Sequence, residues 1–369
     1  RMAATAVAAT LRSRGHDAFF VDAGDFLVTD DRYGDAAVDF DASRERFRQA
    51  QADWPAGIAV ITGFIAKDPR GETTTLGRDG SDYTAAIVAD FLGAAEVQIW
   101  TDVDGVMTAD PSIVAAALPV QRLSYDEAIE LATFGARVLH PRTMIPVRRS
   151  GIPLRIANTR APELAGTQVD QDGADAPSRA TCVTSLPDQA LIDIRLLRLA
   201  PSLRVGERLH RVLEATCDQM WLATHSAHGQ AVSAVVPQTS AEDVRAALER
   251  EFAPSLRRGD IAPIGLREPV SLVTLVAEAM GKRPNVAGRM FQALGGIGVN
   301  VWAIGQSASA RSISCVVDQD ELDVAVRTVH AAFNLKHVQV SMFQLGVGTV
   351  GARLLEQVAA HAEELRVEA

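Results

Sequence analysis

Short apolar runs ended by Gly, Asp or Asn alternate along the first half of the chain with stretches of helical spacing. The runs at 18–21, 58–62, 97–101 and 153–156 have the length of buried strands rather than of helices. Helices are predicted over 4–14, closed by Gly15, and over 83–92 and 125–133. Ser81 or Asp82 can cap the second of these, and Ser124 the third, with Glu127 three residues on as its capping-box partner. Alternating strands and helices predict a largely parallel sheet covered on both faces, with ligands at the carboxyl ends of its strands.

The pattern then changes. The polar stretch 169–188 reads as a linker. Strand, helix, strand, strand, helix follow at 191–197, 208–215, 220–223, 231–236 and 241–252. The same order returns at 271–277, 286–294, 299–304, 312–317 and 322–333, an internal repeat of about 80 residues. In each copy a short polar loop with Ser, His225–Gly229 or Gln306–Ala310, splits the middle strands. Last come an apolar run at 338–345, Gly346-Val347-Gly348-Thr349-Val350-Gly351 and a helix over 352–360. Strand, G-x-G-x-x-G and helix are the start of a dinucleotide-binding βα unit.

With 369 residues the chain can hold two or three domains. Its net charge of −10 argues against a nucleic-acid partner, while a local basic cluster can still hold ATP. Cys182, Cys217 and Cys315 are odd in number and far apart, which fits a reducing compartment and small apolar fillers. There is no apolar stretch of about 18 residues and no basic-then-apolar start with a cleavage site, so the expectation is a cytoplasmic protein without a membrane partner. Arg1-Met2-Ala3-Ala4 reads as the interior of a helix, so the chain is expected to begin within a domain.

The chemistry concentrates in Gly77-Arg78-Asp79-Gly80-Ser81-Asp82-Tyr83 and Trp100-Thr101-Asp102-Val103-Asp104-Gly105. An Arg fork grips a carboxylate through two parallel hydrogen bonds. Small neighbours let backbone N–H groups approach a polar ligand. No nucleophile–base pair accompanies them, which suits a reaction run by positioning and charge neutralisation, such as phosphoryl transfer. The residues alone thus support a carboxylate-recognising phosphotransferase; a surface turn with a capped helix is the plainer alternative. His140 reads as a structural hydrogen-bond partner. His225-x-x-His228 lacks further ligands at metal spacing, so no protein-held metal is expected.

Thr62-Gly63-Phe64, the Gly-Arg-x-Gly-Ser-Asp run at 77–82, Thr101-Asp102-Val103-Asp104-Gly105, Asp110-Pro111 and Phe134-Gly135-Ala136-Arg137-Val138-Leu139-His140-Pro141 stand in the order seen in aspartate kinases. Residues 1–168 resemble the catalytic domain of that family, an amino-acid kinase type α/β sheet covered by helices on both faces. The repeated units, 189–265 and 266–337, look like ACT domains, small ferredoxin-like α+β sandwiches that bind amino acids. Residues 338–369 resemble the start of a homoserine dehydrogenase NAD(P)-binding domain. The whole resembles an internal piece of a bifunctional aspartokinase–homoserine dehydrogenase.

The resemblance implies ATP-dependent phosphorylation of L-aspartate, with Arg78 and Ser81 on the substrate and Asp82 near the transferred phosphoryl. It assigns Thr101, Asp102, Met107, Arg137 and Val138 to ATP, with Mg²⁺ held through the phosphates. It assigns Asn300 and Gln306 to an amino-acid effector, with threonine expected. Gly346, Gly348 and Gly351 would begin a site for NAD or NADP. ACT pairing implies a homo-oligomer. Met107 stands where relatives often have an aromatic, Ser112 where an Arg is common and Arg137 where a Lys is usual. The family's N-terminal Lys-Phe-Gly-Gly segment is absent from these residues, so little kinase activity is expected of residues 1–369 alone. A non-catalytic amino-acid sensor, or another amino-acid kinase acting on a different carboxylate, fits the same residues.

Overall fold

The structure, a computed structural model, describes residues 1–135, 138–173, 180–198, 204–217, 219–226, 230–277, 280, 284–306, 311–333, 335 and 348–360. The N-terminal unit runs α1 (Met2–Ser13), β1 (Ala18–Val21), α2 (Phe40–Ala52), β2 (Ile58–Ile61), β3 (Ile65–Lys67), β4 (Thr73–Thr75), α3 (Gly80–Leu92), β5 (Val97–Thr101), β6 (Arg122–Ser124), α4 (Tyr125–Thr133), α5 (Pro141–Ser150), β7 (Leu154–Asn158) and β8 (Thr167–Asp170). β1 pairs parallel with β2, β5 with β7, and β6 with β8, while β7 and β8 are antiparallel. The carboxyl ends of β1, β2, β5 and β7 carry the loops that matter for chemistry.

Two clusters hold this unit. One gathers Phe26, Phe47, Leu76 and Ile87, with Phe26 and Phe47 edge to face at 5.0 Å. The other gathers Leu131, Met144, Leu154 and Ile156 between α4, α5 and the β5–β8 sheet. Asp90 of α3, only 6% exposed, accepts hydrogen bonds from Arg44 (2.6 Å), Arg149 (2.7 Å) and Ser150, and so ties α2, α3 and α5 together. Such a buried carboxylate is tolerated because it is fully partnered.

The expected capping box is formed: Glu127 N–H donates to Ser124 Oγ at 3.2 Å, and Ser124 N–H to Glu127 Oε2 at 2.9 Å. The expected cap of α3 is not. That helix begins at Gly80, and its N-cap is Asp79 in the left-handed region at φ 53°, so Ser81 and Asp82 lie within the first turn. Just before the helix Gly77 is left-handed at φ 76°, where a β-carbon would collide with Asp35. The loop reverses there and delivers the chain into the helix early.

The C-terminal half runs β9 (Ala180–Arg195), α6 (Val205–Thr216), β10 (Leu222–His225), β11 (Ala231–Pro237), α7 (Gln238–Glu251), α8 (Ala253–Arg257), β12 (Gly265–Ala277), α9 (Val286–Gly296), β13 (Ala303–Gln306), β14 (Ser312–Asp318), α10 (Leu322–Ala332) and α11 (Thr349–Ala360). β9 to β14 form a single antiparallel sheet arranged β10-β11-β9-β12-β14-β13. β9 is shared. Its later residues, Gln189–Arg195, pair with β11 in the first repeat, and its earlier ones, from Ala180, pair with the later part of β12 in the second.

The expected linker 169–188 therefore contains the end of β8 and the first half of β9. Its apolar residues explain why. Cys182 packs into the N-terminal unit's core, and Val183 on the opposite face packs into the second repeat. Helices α6 and α7 cover one half of the sheet through Leu209, Leu213, Val244 and Leu248. α9 and α10 cover the other through Met290, Leu294, Val326 and Val329. The uncovered faces meet each other around Leu191, Val270, Leu272 and Val316, with Phe134 of the N-terminal unit against them. The edge strands β10 and β13 approach so closely that a β-carbon on Gly305 would collide with Leu222. Among the described residues no helix is long and apolar enough to cross a membrane.

Candidate functional site

Two loop clusters lie at strand carboxyl ends. The first joins the ends of β1 and β2 to the start of α3. Thr62 Oγ1 accepts from Ala23 N–H (2.8 Å) and lies 3.3 Å from Asp22 Oδ1 as its donor. Gly63 sits against Ser81, where a β-carbon would come within 2.9 Å of Ser81 Cα. Phe64 holds φ at 74°, a strained position for a bulky residue. Its N–H donates to Thr84 Oγ1 (3.1 Å), whose hydroxyl donates to the Gly80 carbonyl (2.7 Å). The strand end and the first turn of α3 are thereby locked together.

Arg78 projects from this lock. Its side chain is exposed and makes no hydrogen bond or ion pair among the described residues. Ser81 is exposed beside it, and Asp82 is half-buried. Burial, and secondarily the charge of Asp79, raise the Asp82 carboxyl above its ordinary 3.8. Asp22 goes the other way: burial raises it, but the Gly24 N–H and the Arg1 guanidinium outweigh that and hold it low.

His140 caps α5, its Nδ1 accepting from Arg142 N–H at 3.3 Å, which is the structural role expected. Burial lowers its pKa, helped by the charges of Arg142 and Arg78 and opposed by Asp79 and Asp35. Arg142 forms a fork on Asp35, with Nη2 at 2.9 Å from Oδ2. That ion pair places α5 beside the Gly77 turn. Asp35 and Asp22 carry no local signal of these roles, because Arg142 and Thr62 are remote from them in the chain.

The second cluster surrounds Thr101 and Asp102. The Thr101 carbonyl accepts from the N–H (2.8 Å) and the hydroxyl (2.9 Å) of Thr159. Thr101 Oγ1 lies 3.3 Å from Asp102 Oδ1, and Asp102 is exposed. Asn158 Nδ2 donates to Asp104 Oδ1 at 2.6 Å. Gly105 at φ 129° brings the backbone against Thr167, whose Oγ1 accepts from Val106 N–H at 2.9 Å. The result is a braced loop with an open carboxylate at its tip.

The remaining expected residues are scattered. Met107 is half-buried and bridges Pro119. Ser112 closes a turn on Asp110, its Oγ donating to Oδ1 at 2.6 Å. Val138 packs against the core of α4, α5 and the sheet. Arg137 and Gly346 lie outside the described residues, Gly348 directly precedes α11, and Gly351 is in its first turn. Asn300 is exposed in the loop before β13, and Gln306 ends that strand. Gln306 also lines a cavity of about 500 Å³ together with Glu130, Phe134, Trp221, Thr224 and Ser314. Glu130 accepts there from Ser312 Oγ at 2.7 Å, and Trp221 Nε1 is buried without a partner. Among the described residues no group of three or more His, Cys, Asp or Glu is gathered to hold a metal.

Known proteins share this arrangement. The amino acid kinase family matches residues 1–158, and an ACT domain matches 273–333. A bifunctional aspartokinase/homoserine dehydrogenase of Haemophilus influenzae is 36% identical over 358 residues, 97% of this chain and 44% of that protein. A chloroplastic counterpart of Arabidopsis thaliana is 33% identical over 370 residues, 98% of this chain and 40% of that protein. The chain thus spans less than half the length of these bifunctional relatives. The crystal structure of E. coli aspartokinase III in complex with aspartate and ADP superposes with a TM-score of 0.77 at 30% identity, covering 90% of this chain and 73% of that one. The same enzyme in complex with lysine and aspartate gives 0.70, over 88% and 71%. With a matching fold over most of an aspartokinase and the Gly-Arg-Asp-Gly-Ser-Asp turn at the start of α3, this chain belongs to the aspartate kinase family.

Proposed function

We propose that the chain phosphorylates the side-chain carboxylate of L-aspartate with ATP, giving ADP and 4-phospho-L-aspartate. One observation carries this reading: Arg78 is an exposed, unpaired guanidinium on a turn made rigid by the Gly63–Ser81 contact. A free fork on a fixed support is what recognition of a carboxylate requires. The E. coli relative solved with aspartate and ADP supports the same substrates.

In the proposed reaction Arg78 and Ser81 hold the amino acid, and its side-chain carboxylate attacks the γ-phosphorus in line as the bond to ADP breaks. No general base is needed, because a carboxylate is ionised at neutral pH. Asp82 lies at the α3 start to position the substrate ammonium or the phosphate cluster. Thr101 and Asp102, with Met107, Arg137 and Val138, form the nucleotide side. Mg²⁺ would be carried on the nucleotide's phosphates and neutralise them.

Regulation belongs to the same proposal. Threonine, sensed through Asn300 and Gln306, would inhibit, and pairing through the ACT units would make a homo-oligomer. In the longer relatives named as dehydrogenases the chain continues, and Gly346, Gly348 and Gly351 would begin the phosphate turn for NAD or NADP. A coupled ADP-release assay of the complete protein that contains residues 1–369 tests the kinase reading. Release that depends on L-aspartate and falls with Arg78→Ala supports it; release indifferent to L-aspartate sinks it.

A further inference from the structure

The loop that follows the candidate nucleotide residues does not stay in its own unit. Its stem is a tight pair of strands: Val120 N–H donates to the Val106 carbonyl (2.7 Å), and Thr108 N–H to the Leu118 carbonyl (2.8 Å). Met107 bridges Pro119 between them. Its tip, Ala109, Ile113, Val114 and Ala117, is sunk among Met290, Leu294, Val326 and Val329 of α9 and α10. Arg327 of α10 donates to the Ile113 carbonyl at 2.8 Å. One loop is thus rooted beside Thr101 and Asp102 and anchored in the helices of the second repeat.

A buried polar pair sits at the junction. Thr108 Oγ1 and His330 Nε2 are 3.0 Å apart, with the residues 9% and 1% exposed. The same hydroxyl accepts from Leu118 N–H at 2.9 Å, and the Thr108 carbonyl accepts from Val183 N–H of β9 at 2.9 Å. A hydroxyl has one proton and two lone pairs, so it serves Leu118 and His330 together. Losing this contact removes a buried hydrogen bond within an apolar cluster. With the Arg327 and Val183 hydrogen bonds, the pair therefore adds a directional contact that fixes the height of the loop on α10.

We propose that His330 is a positioning residue for the nucleotide: acting through Thr108, it sets the Thr101–Met107 loop, so that a displacement of α10 is felt as a change in ATP affinity. The inference rests on the aspartate kinase reading for the identity of the ligand. Arg78 precedes α3 and Ser81 stands in its first turn, so neither aspartate-side residue belongs to this loop.

The test is titration of ATP and of L-aspartate into the purified protein and into His330→Leu, His330→Gln, Thr108→Val and the double variant Thr108→Val/His330→Leu, with a melting temperature for each. ATP binding is expected to weaken about tenfold in His330→Leu and in Thr108→Val, aspartate binding to stay within about twofold, and the double variant to resemble the singles. His330→Gln, whose amide nitrogen reaches the position of Nε2, is expected to recover most of the loss. A wild-type protein without ATP affinity overturns the kinase reading and this inference with it. Wild-type binding of ATP, combined with variants that keep it or that lose both ligands equally, overturns the inference alone. Should His330→Leu fail to fold, Thr108→Val decides, since it leaves α10 untouched.

Discussion

Gly63 and Ser81 are packed backbone against side chain, so closely that a β-carbon on Gly63 would lie 2.9 Å from both Cα and Cβ of Ser81. The contact welds the end of β2 to the first turn of the helix that follows Arg78. Gly63→Ala must push Ser81 and the first turn of α3 aside, and overpacking of this kind costs about 1–3 kcal/mol. The expected result is a lower melting temperature together with a loss of aspartate affinity that exceeds the loss of ATP affinity. Equal losses for both ligands would mean that the weld supports the fold alone.

Arg78→Ala is expected to leave the melting temperature nearly unchanged, because the side chain is exposed and unpaired. Removing one partner of a charge pair formed in a complex costs about 2–5 kcal/mol. Aspartate-dependent kcat/KM should fall at least about 30-fold, with ATP affinity preserved. Calorimetric titration of each ligand separately distinguishes this from a structural role.

Asp82 yields a pH prediction with a definite sign. Its folded-state pKa is raised above 3.8 by burial and by Asp79. The folded protein therefore holds this proton more tightly than the unfolded chain, and stability falls as pH rises from the ordinary value through the raised one. Above that window the charged Asp82 opposes folding. Asp82→Asn should be more stable than the wild type at neutral pH, with the difference shrinking as the pH approaches 4, and it should be catalytically impaired. Denaturant midpoints at a series of pH values check the first part and steady-state rates the second. A variant that is less stable at neutral pH would contradict the sign.

Gln306→Ala should raise the threonine concentration needed for inhibition at least about tenfold, the effect of losing one hydrogen bond to a charged or polar ligand, without lowering the uninhibited rate. His225→Ala, in a repeat without the matching Asn, should do less. Inhibition curves in the opposite order would move the sensing site to the first repeat.

Local features were legible in the sequence, and remote ones were not. Ser124 and Glu127 are three residues apart, and the capping box they predict forms as read. The start of α3 differs from the expected one because Asp79 takes the left-handed conformation at φ 53° and is the N-cap without a side-chain hydrogen bond, which Ser81 and Asp82 as cap candidates do not reveal. The strand inside 180–188 was missed because its polar neighbours mask it, and only tertiary packing reveals that Cys182 and Val183 face two different cores. Arg78, Ser81 and Asp82 fall together on one turn because they are adjacent in the chain. Their supports, Asp22, Thr62 and the Arg142–Asp35 pair, come from elsewhere and carry no local signal. The cavity beside Gln306 needs four separate segments and has no sequence signature at all.

The shared strand β9 has a consequence for how the molecule assembles. The second repeat borrows the strand beside β12 from residues that precede the whole first repeat: Val183 pairs with Leu275, and Thr184 with Thr274. The second repeat has no complete sheet until the chain has closed a loop of roughly ninety residues, a slow and entropically costly step. Synthesis from the N-terminus therefore leaves the early half of β9 waiting for its neighbour until the first repeat has been made. Once closed, the two repeats should melt in one transition, and cleavage between them would release no independently folded half.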